Sequence, residues 1–112
     1  MNLISQELDG VSVISVVGLR IDAACAIQFK DRFRELAPEN KDRVILDLDG
    51  VDFVDSSGLG AIVGIMKLLA PNTRLELSGM CETVKKVFTL TRMDRVFAIH
   101  NKVSDAIACE DR

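Results

Sequence analysis

The sequence predicts a single α/β domain spanning residues 1–112: one mixed sheet of four to five strands, helices packed mainly on one side, element order ββαβαβαβα. Three observations predict it. Short strand-type runs alternate along the chain with segments of helical periodicity, a pattern that needs crossover connections and favours parallel pairing. The first two runs instead flank Asp9-Gly10, a tight-turn signal for a hairpin. With 112 residues, 48 % of them apolar and 28 % charged, the chain suits one cooperative core, and it carries no repeat, low-complexity tract or linker.

Leu3 to Leu8 is the first arm of that hairpin. In the second, Val11, Val13, Ser15 and Val17 share one parity, and Ser12, Ile14, Val16 and Gly18 the other. Both sets are mostly apolar, as in a strand covered on both faces. Ala26, Phe29, Phe33 and Leu36 then fall on one helical face, with Asp22 placed as its N-cap and Pro38 ending it. Val44 to Leu48 reads as a central strand and Gly50 to Asp55 as a connection. Leu59, Ile62, Val63, Met66 and Leu69 mark a second helix, closed by Pro71-Asn72. Arg74 to Leu77 is the next strand, with a turn at Ser78-Gly79. Val84, Val87, Phe88 and Thr91 mark a third helix, and Val96 to Ile99 a last strand. Asn101 is placed to cap a short helix from Lys102 to about Cys109, and Glu110-Asp111-Arg112 are expected to fray.

Composition narrows the function. Fourteen Lys and Arg against 17 Asp and Glu give a net charge of -3, the wrong sign for a nucleic-acid surface. With no Trp or Tyr and 5 Phe, base-stacking platforms are lacking too. The single histidine, His100, leaves no multi-histidine metal site, and no metal or other cofactor is expected. Cys25, Cys81 and Cys109 form neither a disulfide framework nor a CxxC site; they read as mostly buried thiols in a reducing cytosol. No stretch approaches the 20 or so apolar residues of a membrane span, and the N-terminus has no signal-type pattern. A cytoplasmic protein with no direct membrane insertion is expected.

The densest signal is Val51-Asp52-Phe53-Val54-Asp55-Ser56-Ser57-Gly58-Leu59-Gly60-Ala61-Ile62-Val63-Gly64. It joins the third strand to the second helix, at the carboxyl end of a parallel strand, where open α/β sheets place their binding sites. Asp55, Ser56 and Ser57 are all competent caps. Gly58 and Gly60, in the first turn, leave backbone uncovered beside Ser56. Gly64, four residues on from Gly60, is assigned to close packing of helix against sheet.

This cluster resembles the anti-sigma-factor antagonists, whose domain is also known as the STAS domain. Asp55 to Gly60 matches the family's Asp-Ser-Ser-Gly-Leu-Gly without a gap. Gly18 to Ala24 resembles the family's loop before the first helix, and Val84 to Phe88 and Met93 to Phe97 its third helix and last strand. Two departures stand out: Leu19-Arg20 fills what is often a single position, and Arg92 stands where Gly is common.

The resemblance implies a STAS-like fold and a phosphorylation switch. The acceptor would be Ser56, with Ser57 the second choice. Partner contacts would come from Asp22, Asp55, Ser56, Ser57, Gly58 and Gly60. Unphosphorylated, such a protein binds an anti-sigma factor that is also a serine/threonine kinase, which frees the sigma factor; phosphorylation releases it and a phosphoserine phosphatase resets it. The alternative implied by the same resemblance is a non-switching subunit of a membrane-transport or stress-signalling assembly. An enzyme reading would make Ser56 or Ser57 a nucleophile with His100 as base, but the G-x-S-x-G elbow is absent, and no catalytic residues are assigned.

Overall fold

The structure, a computed structural model, describes residues 2–39 and 41–109; the expected fraying of Glu110-Asp111-Arg112 lies outside the described residues. Strands β1 (Asn2–Leu8) and β2 (Val11–Val17) form the expected hairpin. Asp9 and Gly10 both take positive φ, 52° and 79°, the handedness that matches the twist of the flanking strands. β4 (Arg43–Asp47), β6 (Arg74–Ser78) and β7 (Ala98–His100) add in parallel, giving the order β1-β2-β4-β6-β7. A separate two-stranded pairing joins β3 (Arg20–Ile21) to β5 (Phe53–Val54).

Helices α1 (Ala26–Leu36), α2 (Ser56–Leu69) and α3 (Glu82–Leu90) cover one face. Their Phe29, Phe33, Ile62, Ile65 and Phe88 pack onto Ile14, Val44, Leu46 and Leu77 of the strands. The other face carries α4 (Val103–Ala108), whose Ala106 lies on Val13 and Ile45. The apolar residues of both parities in β2 therefore have separate cores to enter: Ile14 and Val16 under the three helices, Val13 under α4. Among the described residues no helix is long and apolar enough to cross a membrane.

Among the described residues a single buried carboxylate, on the α4 face, organises that side of the sheet. Glu76, in the middle of β6, is 1 % exposed. Arg43 donates to it from Nε and Nη2, both at 2.8 Å, Arg74 from Nε at 2.9 Å, and His100 Nε2 lies 2.9 Å from Oε1. Arg43 also donates to the Ala106 carbonyl at 2.6 Å, which ties β4 to the last turn of α4. Burial pushes the Glu76 carboxyl up, but the hydrogen bonds from Arg43, His100 and Arg74 outweigh it and hold the carboxyl at about 2.

Several local expectations are corrected. The N-cap of α1 is Cys25, without a side-chain cap; Asp22 instead closes the preceding turn, its Oδ1 accepting from Ala24 N at 3.1 Å. The Ala23 N–H is drawn away to Asp55, which keeps residues 22–25 off the helical path. Asn101 does not cap α4, which starts behind Lys102; its Oδ1 accepts from Lys85. Cys81 and Cys109 are exposed and Cys25 half-buried, because each sits at a helix boundary where the chain meets the surface. The last strand starts at Ala98, since Met93–Arg95 form a 3-10 turn first.

Candidate functional site

The Asp-Ser-Ser segment lies at the carboxyl end of the parallel strands. Asp55 is the N-cap of α2, with extended backbone and its Oδ1 accepting from Gly58 N at 2.8 Å. Its other oxygen accepts from Ala23 N at 3.2 Å. One carboxylate thus satisfies a donor of its own helix and pins the loop between β3 and α1 across the site. The sequence left Asp55, Ser56 and Ser57 open as caps; the extended conformation of Asp55 decides it, and Ser56 and Ser57 become the first two helical residues.

Both serines are exposed. Among the described residues no side chain or backbone group hydrogen-bonds to either hydroxyl. Asp55 takes the Gly58 donor and the Asp55 carbonyl takes Leu59 N at 2.8 Å, so the N–H groups of Ser56 and Ser57 point outward at the positive end of a 14-residue helix. Such an end favours negative charge placed on either hydroxyl.

The glycines divide differently from the expectation. Gly58 is buried rather than open: a Cβ there would overlap the Ile21 carbonyl oxygen and lie 2.7 Å from the carbonyl carbon. That contact seats α2 on β3 and accounts for glycine at this position. A Cβ on Gly60 would have nothing within 4 Å, so its backbone is uncovered, as expected. A Cβ on Gly64 would lie 3.2 Å from the Lys30 side chain, so this glycine faces α1 rather than the sheet.

Asp22 closes the site from the β3–α1 side. Arg20 Nε donates to its Oδ2 at 3.1 Å and holds the Asp22 carboxyl below the usual carboxylate range. The Arg20 guanidinium also lies over the Phe53 ring, 4.3 Å from its centroid, a cation–π contact across the β3–β5 pair. Leu19, next to it, accepts from Asp52 N at 2.8 Å and leaves its side chain exposed. Asp22 and Asp55, which sequence places 33 positions apart, are therefore brought to the same corner together with Ser56, Ser57 and Gly60. Arg20, Phe53, Ile21 and Ala23 complete it; the sequence marked Arg20 only as part of a departure from the family's loop and gave the other three no role of their own, since a two-residue strand carries no periodicity by which to find them.

His100 lies at the same end of the sheet but on the other face. Its ring is engaged with Glu76 beneath α4, whereas α2 packs on the opposite side. The structure does not join it to either serine.

In comparison with known proteins, the STAS domain family model matches residues 2–106. A protein of Thermotoga maritima, provisionally named an anti-sigma factor antagonist, is 32 % identical over 76 residues, covering 67 % of each chain. A crystal structure of a provisionally named antagonist from Thermotoga maritima is 27 % identical with a TM-score of 0.80, over 95 % of this chain and 92 % of that one. The crystal structure of an anti-sigma factor antagonist from Mycobacterium paratuberculosis aligns with a TM-score of 0.84 over 96 % and 91 %; at 24 % identity that likeness is one of fold.

Proposed function

The chain belongs to the STAS domain family, and from that premise we propose that it is a cytoplasmic anti-sigma-factor antagonist that switches partners by phosphorylation of Ser56. The relatives provisionally named antagonists support the class. The observation that carries the switch is the position of Ser56: an exposed, unengaged hydroxyl on the first residue of α2, beside the Asp55 cap.

The chemistry follows from that position. A phosphate adds about -1.5 to -2 charges and three acceptor oxygens at one point. The outward N–H groups of Ser56 and Ser57 tolerate it, so the fold need not rearrange. A docked partner tolerates it less, because the new charge must be desolvated beside the Asp22 and Asp55 carboxylates. Every 1.4 kcal/mol of that conflict is about tenfold in affinity. Unmodified, the protein holds an anti-sigma factor that is also its serine/threonine kinase; modified, it lets go; a phosphoserine phosphatase returns it.

Incubation with ATP and the anti-sigma kinase, followed by peptide mass spectrometry, tests this. One phosphate on Ser56 is expected. An unmodified Ser56 and Ser57 in the presence of active kinase would overturn the reading. A pull-down that returns transporter subunits instead of a kinase would favour the non-switching assembly role.

A further inference from the structure

Leu90 and Val96 are 83 % and 49 % exposed. They bracket the end of α3 and the 3-10 turn that follows it. The segment from Lys86 to Val96 also carries three exposed cations, Lys86, Arg92 and Arg95, with Asp94 as its one acid. Among the described residues none of the three has an ion pair, whereas every other described arginine has one. Arg92 is in the left-handed region, φ 62° and ψ 18°, a conformation that glycine adopts freely and arginine at a cost. A strained, unpaired cation beside a protruding leucine is an expensive way to end a helix.

The topology fixes where this corner points. α3 leaves the carboxyl end of β6 and runs back to the amino end of β7. Its last turn is therefore at the pole of the molecule opposite Ser56.

We infer that this corner adsorbs to anionic lipid surfaces. A helix end and the single tight turn after it offer fewer residues than a standard protein interface, which takes about 20 to 30 a side. A lipid surface needs less: cations at the headgroup level and an apolar side chain between them. Each of Lys86, Arg92 and Arg95 contributes about fivefold to such binding, and Leu90 enters the headgroup boundary without any segment spanning the bilayer. Asp94 and the net charge of -3 oppose it, so the contact is weak, reversible and sensitive to salt. Bound this way, the protein turns its Ser56 end away from the lipid.

Co-sedimentation of the full chain with vesicles tests this. The protein is expected to pellet with equimolar phosphatidylglycerol and phosphatidylcholine vesicles at low salt, not with pure phosphatidylcholine, and to be released by added salt. The double variant Arg92→Gly, Arg95→Gln is expected to bind about 25-fold more weakly, two cations at fivefold each; Arg92→Gly relieves the backbone, so the loss does not arise from unfolding. Equal binding by parent and variant, or no binding to either vesicle, overturns the inference. Retention on immobilised poly-glutamate without vesicle binding, lost in the double variant, also overturns it and assigns the corner to an acidic protein.

Discussion

Gly58 and Ile21 touch backbone to backbone: the space for a Cβ on Gly58 is already filled by the Ile21 carbonyl. The glycine of the Asp-Ser-Ser-Gly motif is therefore a packing residue, and its neighbour Gly60 is the open one. Gly58→Ala is expected to cost about 3 kcal/mol, because backbone on backbone cannot yield. Gly60→Ala, in open space within a helix, is expected to be neutral or to gain up to about 1 kcal/mol. Urea unfolding of the two variants checks the order; equal stabilities would contradict the contact.

Asp55 holds two loops with one carboxylate. Asp55→Ala removes the cap on Gly58 and the tie to Ala23 together, and is expected to cost about 2 kcal/mol, at the upper end for a cap. Asp22→Ala, which loses a turn contact and an exposed ion pair to Arg20, both with near neighbours in the chain, should cost less. Thermal melts compare the two, and a larger loss at Asp22 would refute the assigned roles.

The switch makes a prediction about charge alone. Ser56→Ala is expected to bind the anti-sigma factor like the parent, and Ser56→Asp at least about tenfold more weakly. Calorimetric titration measures both. Matching affinities would remove the charge conflict as the mechanism while leaving phosphorylation itself to be judged by mass spectrometry.

Glu76 gives the stability a defined acid limb. Its folded pKa, about 2, lies below the ordinary value of 4.5, so the unfolded chain binds the proton more readily. The contribution is complete above the ordinary value and is lost as pH falls through 4.5 toward 2; it amounts to about 3 kcal/mol. Glu76→Gln leaves Arg43, Arg74 and His100 without their anion, and is expected to cost about 3 to 5 kcal/mol at neutral pH and to flatten this limb. Unfolding free energies measured from pH 7 to pH 3 provide the check, and an unchanged slope in the variant would exclude Glu76 as its source.

The sheet was legible because two of its inner strands, β2 and β4, are β-branched runs and its helices repeat Phe, Leu and Ile on one face. The parity of β2 even foretold cover on both sides, by α4 on one and three helices on the other. The corner around Ser56 was legible only along the chain. Asp55 as cap is a local choice among three competent residues, and the extended backbone makes it. The place of Asp22 is set by Asp55, 33 residues away, which holds Ala23 and so takes Asp22 out of the helix. Arg20 on Phe53 arises from a pairing of two residues with two, too short for any pattern to register. Gly58 and Gly64 meet neighbours that the sequence did not name for the same reason: which helix face meets β3 and which meets Lys30 depends on docking.

The clamp on Glu76 joins residues that leave the ribosome at different times. Its carboxylate is placed when β6 forms, but His100 lies 24 residues further on and the cover from Ala106 thirty. A chain made only as far as β6 would hold two arginines and a glutamate against open water. α4, at six residues, is too short to persist as a helix alone; it gains its shape only on arriving at the Arg43 guanidinium. α4 is thus shaped by the sheet it covers, and a chain stopped before residue 103 should leave that face of the sheet open.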